Sequence, residues 1–324
     1  MAISNKVGFI GLGNVGSKLS GTLLRNGCDL TVLDLDETLV ADFVARGATR
    51  ANSPRELAEQ VDIVITCLPS PAACASVMEA EDGVIAGLSA GMTWLEMSTT
   101  DEAEVRRIGA LVHATGARAL DCPVSGGCHR AATGNIAIFA GGDRDGFDHV
   151  LPVLTKMGRR VLHTGELGSA SILKVLTNYL ATAHLSALAE ALVVAKKIGM
   201  DMNVTYEAIK ASSGNSFVHE TESQVILNGS RDIGFTMDLV LKDIGIFDQL
   251  AQRNNVPLEI SPLLIQIFKD GVERYGEREL SPNIIRRLED ACDVKVLGEG
   301  FPAEMTDDEP EEQGAEVLIQ GRTM

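Results

Sequence analysis

No run of apolar residues in this 324-residue chain reaches the roughly 18 that a membrane span needs, so no transmembrane segment is expected. Positive charge is scarce. Lys and Arg number 28 against 45 Asp and Glu, a formal net charge of −17. Nucleic-acid binding requires a basic footprint for phosphate, and that class of partner is not expected. The six cysteines, Cys28, Cys67, Cys74, Cys122, Cys128 and Cys292, form no CxxC pair and have no histidine at ligand spacing. Neither a metal site nor a disulfide framework is expected. Cys67 and Cys122 lie in strand-like runs, where buried free thiols are ordinary. The opening MAISNKVGFI has one lysine and runs straight into a strand pattern. It does not read as a secretory leader, and a cytoplasmic location is the default expectation.

What is present is the composition of a globular protein, 45% hydrophobic and 23% charged, with length enough for about two domains. Through residue 165, strand and helix signals alternate. KVGFIG, DLTVLDLD, VDIVITCLP, MTWLEMST, ARALDCPVS, NIAIFAGG and RRVLHTG read as strands. VGSKLSGTLLRNG reads as a helix with Val15, Leu19, Leu23 and Leu24 on one stripe and Gly27 as its stop. SPRELAEQ starts another, with Ser53 as N-cap, Pro54 at the first helical position and Glu56 completing a capping-box pattern. Such alternation predicts an α/β domain, a doubly wound, mostly parallel sheet covered on both faces.

The pattern changes after Gly165. Residues 167 to 198 are rich in Ala and Leu and contain no proline, predicting one helix roughly 48 Å long that runs between domains. Helical periodicity continues to about residue 296, broken by loops such as SSGNS and NGSRDIG. The expected organisation is a Rossmann-type dinucleotide-binding domain over 1–165, an all-helical substrate and dimerisation domain over 166–296, and an acidic flexible tail or arm over 297–324. The run DDEPEE, Asp307 to Glu312, contributes five carboxylates to that last segment.

Gly11, Gly13 and Gly16 form G-x-G-x-x-G after the first strand and at the start of the first helix. Gly11 permits a tight turn, Gly13 lets backbone approach a pyrophosphate, and Gly16 allows close helix–strand packing. The helix N-terminus then faces an anion. The same glycines also suit a plain turn without a ligand. Asp34, 18 residues beyond Gly16, can accept both ribose hydroxyls of NAD and repel the extra phosphate of NADP, or can be a carboxylate in a solvated turn. Asp36 adds to that repulsion. NAD is therefore favoured over NADP.

Reaction chemistry is sought where strands end. In DCPVSGG, Asp121 to Gly127, Ser125–Gly126–Gly127 can receive a carboxylate in backbone N–H groups and a hydroxyl, or can be an ordinary turn. Lys174 and Asn178 lie four apart on the long helix and share a face. An ammonium partly desolvated there can exchange a proton with an alkoxide or hydroxyl. The alternative is a lysine snorkelling from an apolar helix.

Taken together and in order, GFIGLGNVG, DCPVSGG, GSASILKVLTN and FTMDLVLKD resemble the β-hydroxyacid dehydrogenase family over roughly residues 5–296. The resemblance implies NAD as cofactor, with Gly11, Leu12, Gly13, Asn14, Val15 and Gly16 in the first motif. It implies Lys174 as the catalytic residue, a substrate-carboxylate loop at Ser125, Gly126 and Gly127, and Asn178 as a substrate-binding partner. Leu68 and Pro69 lie along the cofactor, Thr99 near its nicotinamide end, and Lys242 closes on it from the helical domain. A homodimer or homotetramer is also implied.

The chain departs from the pattern at Val15, Ala73, Ala170 and Thr177, and at Cys128–His129–Arg130 after the glycines. Arg130 either supplies charge for a second anionic group or points to solvent or pairs with a local acid. The activity expected is hydride transfer between NAD and a small 3-hydroxy carboxylic acid, giving a semialdehyde or keto acid. Alternatives on the scaffold are a tartronate semialdehyde or sulfolactaldehyde-type reductase and an imine reductase. From another class comes a non-catalytic dinucleotide-binding protein. Loops near Ser213, Phe217 and Phe235 are expected to decide the substrate.

Overall fold

A computed structural model describes residues 6–321. In chain order the elements are β1 (Lys6–Ile10), α1 (Gly16–Arg25), β2 (Asp29–Leu33), α2 (Glu37–Ala45), β3 (Thr49–Arg50), α3 (Pro54–Gln60), β4 (Ile63–Thr66), α4 (Pro71–Glu79), α5 (Val84–Gly87), β5 (Thr93–Glu96), α6 (Glu102–Ala114), β6 (Arg118–Asp121), β7 (Val124–Ser125), α7 (Gly127–Thr133), β8 (Ala137–Gly141), α8 (Arg144–Met157) and β9 (Arg160–Gly165). Next come α9 (Ser169–Lys197), α10 (Met202–Lys210), α11 (Phe217–Asn228), α12 (Met237–Arg253), α13 (Ile260–Tyr275), a 3-10 turn at Ser281–Ile285, α14 (Arg286–Cys292) and β10 (Ala315–Glu316). Two compact units result among the described residues: 6–174 together with 307–321, and 175–306.

The first unit carries one sheet in the order β10-β9-β8-β6-β5-β4-β1-β2-β3, with β7 paired to β8. Pairing is parallel except where β8 meets β6 and β7. Its central strands β4 and β5 are buried at every position because both faces are covered. Ile63, Ile65, Leu95 and Leu120 enter one core, while their neighbours Val64, Trp94 and Ala119 enter the other. That is the period-2 alternation of a strand buried on both sides. Local signals hold at α3, where the Ser53 hydroxyl accepts the Glu56 N–H at 3.1 Å. The return bond of the capping box goes elsewhere: Glu56 accepts the Asn52 N–H at 2.9 Å.

The second unit contains only helices and turns around a core that includes Leu192, Ile226, Leu227, Met237, Ile244, Phe268 and Ile285. Its NGSRDIG loop is pinned by Arg231, whose guanidinium meets the fully buried Glu289 carboxylate at 2.7 Å. No helix among the described residues is long and apolar enough to cross a membrane.

The acidic segment from residue 297, expected as a flexible tail or an arm, divides between the two units. Residues 297–306 belong with the helical unit, where the Gly298 N–H donates to Leu227 at 2.9 Å. From Asp307 the chain returns to the first unit and adds β10 in parallel to β9. Gly314 makes this approach possible. A Cβ there would lie 1.9 Å from the Gly158 carbonyl oxygen. The acidic character that suggested a flexible end is offset by backbone pairing and by arginines on the receiving surface.

Candidate active site

The strand order reverses between β1 and β4, which are hydrogen-bonded neighbours with Ile10 opposite Thr66. In open α/β sheets the crevice at such a reversal, beyond the strand C-termini, is where ligands bind. Four segments arrive along that edge: Gly11–Gly16 after β1, Leu68–Pro69 after β4, Ser98–Thr99 after β5, and Asp121–Ser125 at the end of β6.

The glycine bend has the form a dinucleotide needs. Gly11 has φ +99°, and a Cβ there would lie 2.3 Å from the Cys67 carbonyl oxygen. A Cβ on Gly16 would lie 2.0 Å from the Gly11 carbonyl oxygen, so helix and bend are in contact. Gly13 is different: a Cβ on it would meet nothing within 4 Å. Its bareness leaves open space rather than relieving a clash in the chain, which fits an external pyrophosphate. No side chain caps α1, and its first turn has no acidic residue, leaving its positive end for an anion.

Leu12 is fully buried, and its N–H donates to Asp34 Oδ2 at 2.5 Å. Asp34 Oδ1 accepts the Asp36 N–H at 2.8 Å. The carboxylate thus braces the bend, and each of its oxygens keeps a further lone-pair direction for a ribose hydroxyl. Asp36 caps α2 by accepting the Thr38 N–H at 2.8 Å. Asn14 is exposed and Val15 half-buried on the same bend. These residues fit NAD.

Leu68 and Thr99 are half-buried and Pro69 exposed. Two residues not singled out by the sequence join these loops. Ser98 Oγ accepts the Leu68 N–H at 2.7 Å. The Ser98 N–H in turn donates to Glu96 Oε1 at 2.6 Å. Glu96, with no exposed surface, also accepts from Thr66 Oγ1 at 2.9 Å and Cys74 Sγ at 2.6 Å. Burial pushes its carboxyl above the usual range, against the pull of those donors. Little in EMSTT marks Glu96 as a hub, because two of its partners come from β4 and α4.

Asp121 is the other residue the sequence underrated. It is fully buried, with Oδ1 accepting the Gly168 N–H at 2.8 Å and Oδ2 the Ser171 N–H at 2.6 Å. It therefore caps α9, the helix that carries Lys174, while the chain four residues on forms the Ser125 bend. Burial raises its carboxyl's pKa, and the two N–H donors only partly counter this. Ser125 and Gly126 are half-buried and Gly127 exposed, and both glycines have positive φ, +133° and +88°. Lys174 is half-buried on the second turn of α9.

In the helical unit, Asn178 Nδ2 donates to Asp243 Oδ2 at 2.5 Å. Lys242 Nζ lies 3.0 Å from Asp243 Oδ1. The buried Asp243 thus gathers two predicted residues that lie 64 positions apart in the chain. Its only sequence signal was its place beside Lys242. Arg130 pairs with a local acid, Glu309, at 3.3 Å.

A family model described as the NAD binding domain of 6-phosphogluconate dehydrogenase matches residues 6–165. Another, described as NAD-binding of NADP-dependent 3-hydroxyisobutyrate dehydrogenase, matches residues 168–288. A 2-(hydroxymethyl)glutarate dehydrogenase of Eubacterium barkeri is 33% identical over 92% of this chain and 99% of its own. An NAD-dependent L-serine dehydrogenase of Pseudomonas aeruginosa is 31% identical over 88% of this chain and 98% of its own. The solved structure of a 3-hydroxyisobutyrate dehydrogenase from Salmonella typhimurium superposes with a TM-score of 0.80 at 29% identity, covering 87% of this chain and 99% of that one.

Proposed function

The chain belongs to the β-hydroxyacid dehydrogenase family and is an NAD-linked hydroxyacid oxidoreductase, and from that premise we propose that its substrate is a small 3-hydroxy carboxylic acid of the 3-hydroxyisobutyrate type. Bound NAD supplies the hydride acceptor. The Ser125–Gly127 bend receives the substrate carboxylate through backbone N–H groups and the Ser125 hydroxyl. Lys174 takes the hydroxyl proton as hydride leaves the same carbon, so the alcohol becomes an aldehyde or ketone. Asn178, steadied by Asp243, orients the substrate, and Lys242 stands beside them on the same carboxylate. Asp34 selects NAD.

One observation carries this reading: Asp121 ends the strand leading to the bend and also receives the first N–H groups of the Lys174 helix. Bend and helix start are built on a single buried carboxylate. The test follows nicotinamide absorbance at 340 nm with NAD or NADP and three probes, 3-hydroxyisobutyrate, L-serine and 2-(hydroxymethyl)glutarate. Wild type is expected to turn over at least one with NAD. Lys174→Ala is expected to lose at least about 10²-fold in kcat with NAD affinity retained. Undiminished turnover in that variant overturns the assignment.

The same reading makes the protein a homodimer or homotetramer. An apolar groove of about 610 Å³ between α9 and α10 supports it. Val194, Ile198, Met200 and Val204 there are 48 to 72% exposed, a patch of the kind that oligomers cover. Light scattering on the eluted protein gives the mass directly, and a monomer refutes it.

A further inference from the structure

The returning segment is held too specifically to be only a chain end. Asp307 Oδ2 accepts from the Thr133 hydroxyl and, at 2.7 Å, from Asn135 Nδ2. Asn135 also donates to the Glu309 carbonyl at 2.8 Å. Glu311 makes a two-nitrogen contact with Arg25, both at 3.1 Å. Arg25 simultaneously donates to the Ala132 carbonyl at 3.0 Å. Arg159 reaches Glu312 at 2.8 Å and Arg144 reaches Glu316 at 2.7 Å.

Most of these pairs are partly exposed, and each alone contributes little, about 0–1 kcal/mol. Their placement is what matters. Thr133 ends α7, Ala132 is in it, and Asn135 follows it. α7 is the helix that begins within the Ser125–Gly127 bend.

Arg130 lies on the same helix. Its side chain packs against the bend, where a Cβ on Gly126 would lie 3.3 Å from Arg130 Cδ. Its guanidinium meets Glu309 at 3.3 Å, with the arginine side chain 24% exposed. Asp307 also feels it. Burial works to raise that carboxyl, but the Thr133 and Asn135 hydrogen bonds, the Glu309 N–H and the Arg130 charge hold it below its ordinary value. A guanidinium beside a carboxylate-binding bend would attract a second anionic group on the substrate. Here the chain's own carboxylates take up that charge. The family matches stop at residue 288, so the segment lies outside what they describe.

We propose that residues 307–316 form an intramolecular acidic strap that fixes α7 and the Ser125–Gly127 bend, and that Glu309 occupies Arg130 so that the bend favours substrates with one carboxylate. This rests on the reading of the bend as the carboxylate site. Asp307 and Glu309 are then positioning residues, and Arg130 with Glu309 sets specificity by charge.

Two measurements on the full chain decide it. In Asp307→Asn, hydrogen exchange at the amides of residues 128–135 is expected to quicken about tenfold while NAD affinity stays within about twofold. Unchanged exchange overturns the strap. In Glu309→Gln, kcat/KM for 2-(hydroxymethyl)glutarate relative to 3-hydroxyisobutyrate is expected to rise about three- to fivefold, the scale of one partly exposed ion pair. Adding Arg130→Gln is expected to restore the wild-type ratio. A general loss of folding lowers both rates without moving their ratio, and an unmoved ratio overturns the charge role. If wild type turns over neither acid, the carboxylate reading and the charge role fall together, while the exchange measurement still decides whether the strap holds α7.

Discussion

Replacing Asp121 with Asn tests the link between the bend and the long helix. The substitution keeps the shape but puts one oxygen and one NH2 where two oxygens stood. The Gly168 and Ser171 N–H groups, now at 2.8 and 2.6 Å from acceptors, cannot both be satisfied. A buried donor left unpaired costs about 1–3 kcal/mol. The surviving bond loses its charge assistance, and the start of α9 loses a carboxylate worth about 0.3–1 kcal/mol. Relief of burying a charge offsets part of this, since burial already disfavours the ionised form. The net expectation is a loss of roughly 2–3 kcal/mol, confined to the first unit. The chain's one tryptophan makes the assay selective. Trp94 is fully buried in β5 with its Nε1–H on Thr66 Oγ1 at 2.9 Å, so its fluorescence reports that unit. The urea midpoint should fall by about 1 M, given a slope near 2–3 kcal/mol/M. A midpoint within about 0.2 M of wild type would refute the claim that Asp121 organises both segments.

Two further outcomes are expected. Glu222 has a buried Oε2 without a hydrogen-bond partner, and burial alone pushes its carboxyl from 4.5 up to about 8. Below about pH 4.5 it is neutral folded or unfolded. Between there and about pH 8 only the unfolded chain ionises, so stability falls across that window by roughly 2–4 kcal/mol. Glu222→Gln should remove that slope. The three tyrosines all lie in the helical unit, so their near-ultraviolet absorbance reads it out, and identical pH profiles would contradict the reasoning. Gly13→Ala and Gly16→Ala should behave oppositely in folding. The first meets open space and should leave stability within about 1 kcal/mol while weakening NAD binding. The second strikes backbone and should cost about 1–3 kcal/mol as well. Calorimetric NAD titration beside the Trp94 melt separates them, and equal melts for both would count against this account of the bend.

What could be read in one dimension was short-range. The alternation of strands and helices, the Ser53 cap and the glycine spacing are set by residues within a turn or two of one another. Their steric and hydrogen-bonding preferences act before any fold exists. So does the helical period of residues 169–197, whose Ala and Leu content needs no partner to favour a helix. The roles of Asp121, Glu96 and Asp243 lay beyond that reach. Each is a carboxylate in an unremarkable string until burial removes water and distant donors converge on it. For Asp121 those donors lie 47 and 50 residues away. The acidic strap is the clearest case. Composition alone made Asp307–Glu312 look like a solvated end, because a run of like charges repels itself. Arginines brought together from α1, α7, α8 and the residue before β9 reverse that balance, and only folding places them on one surface.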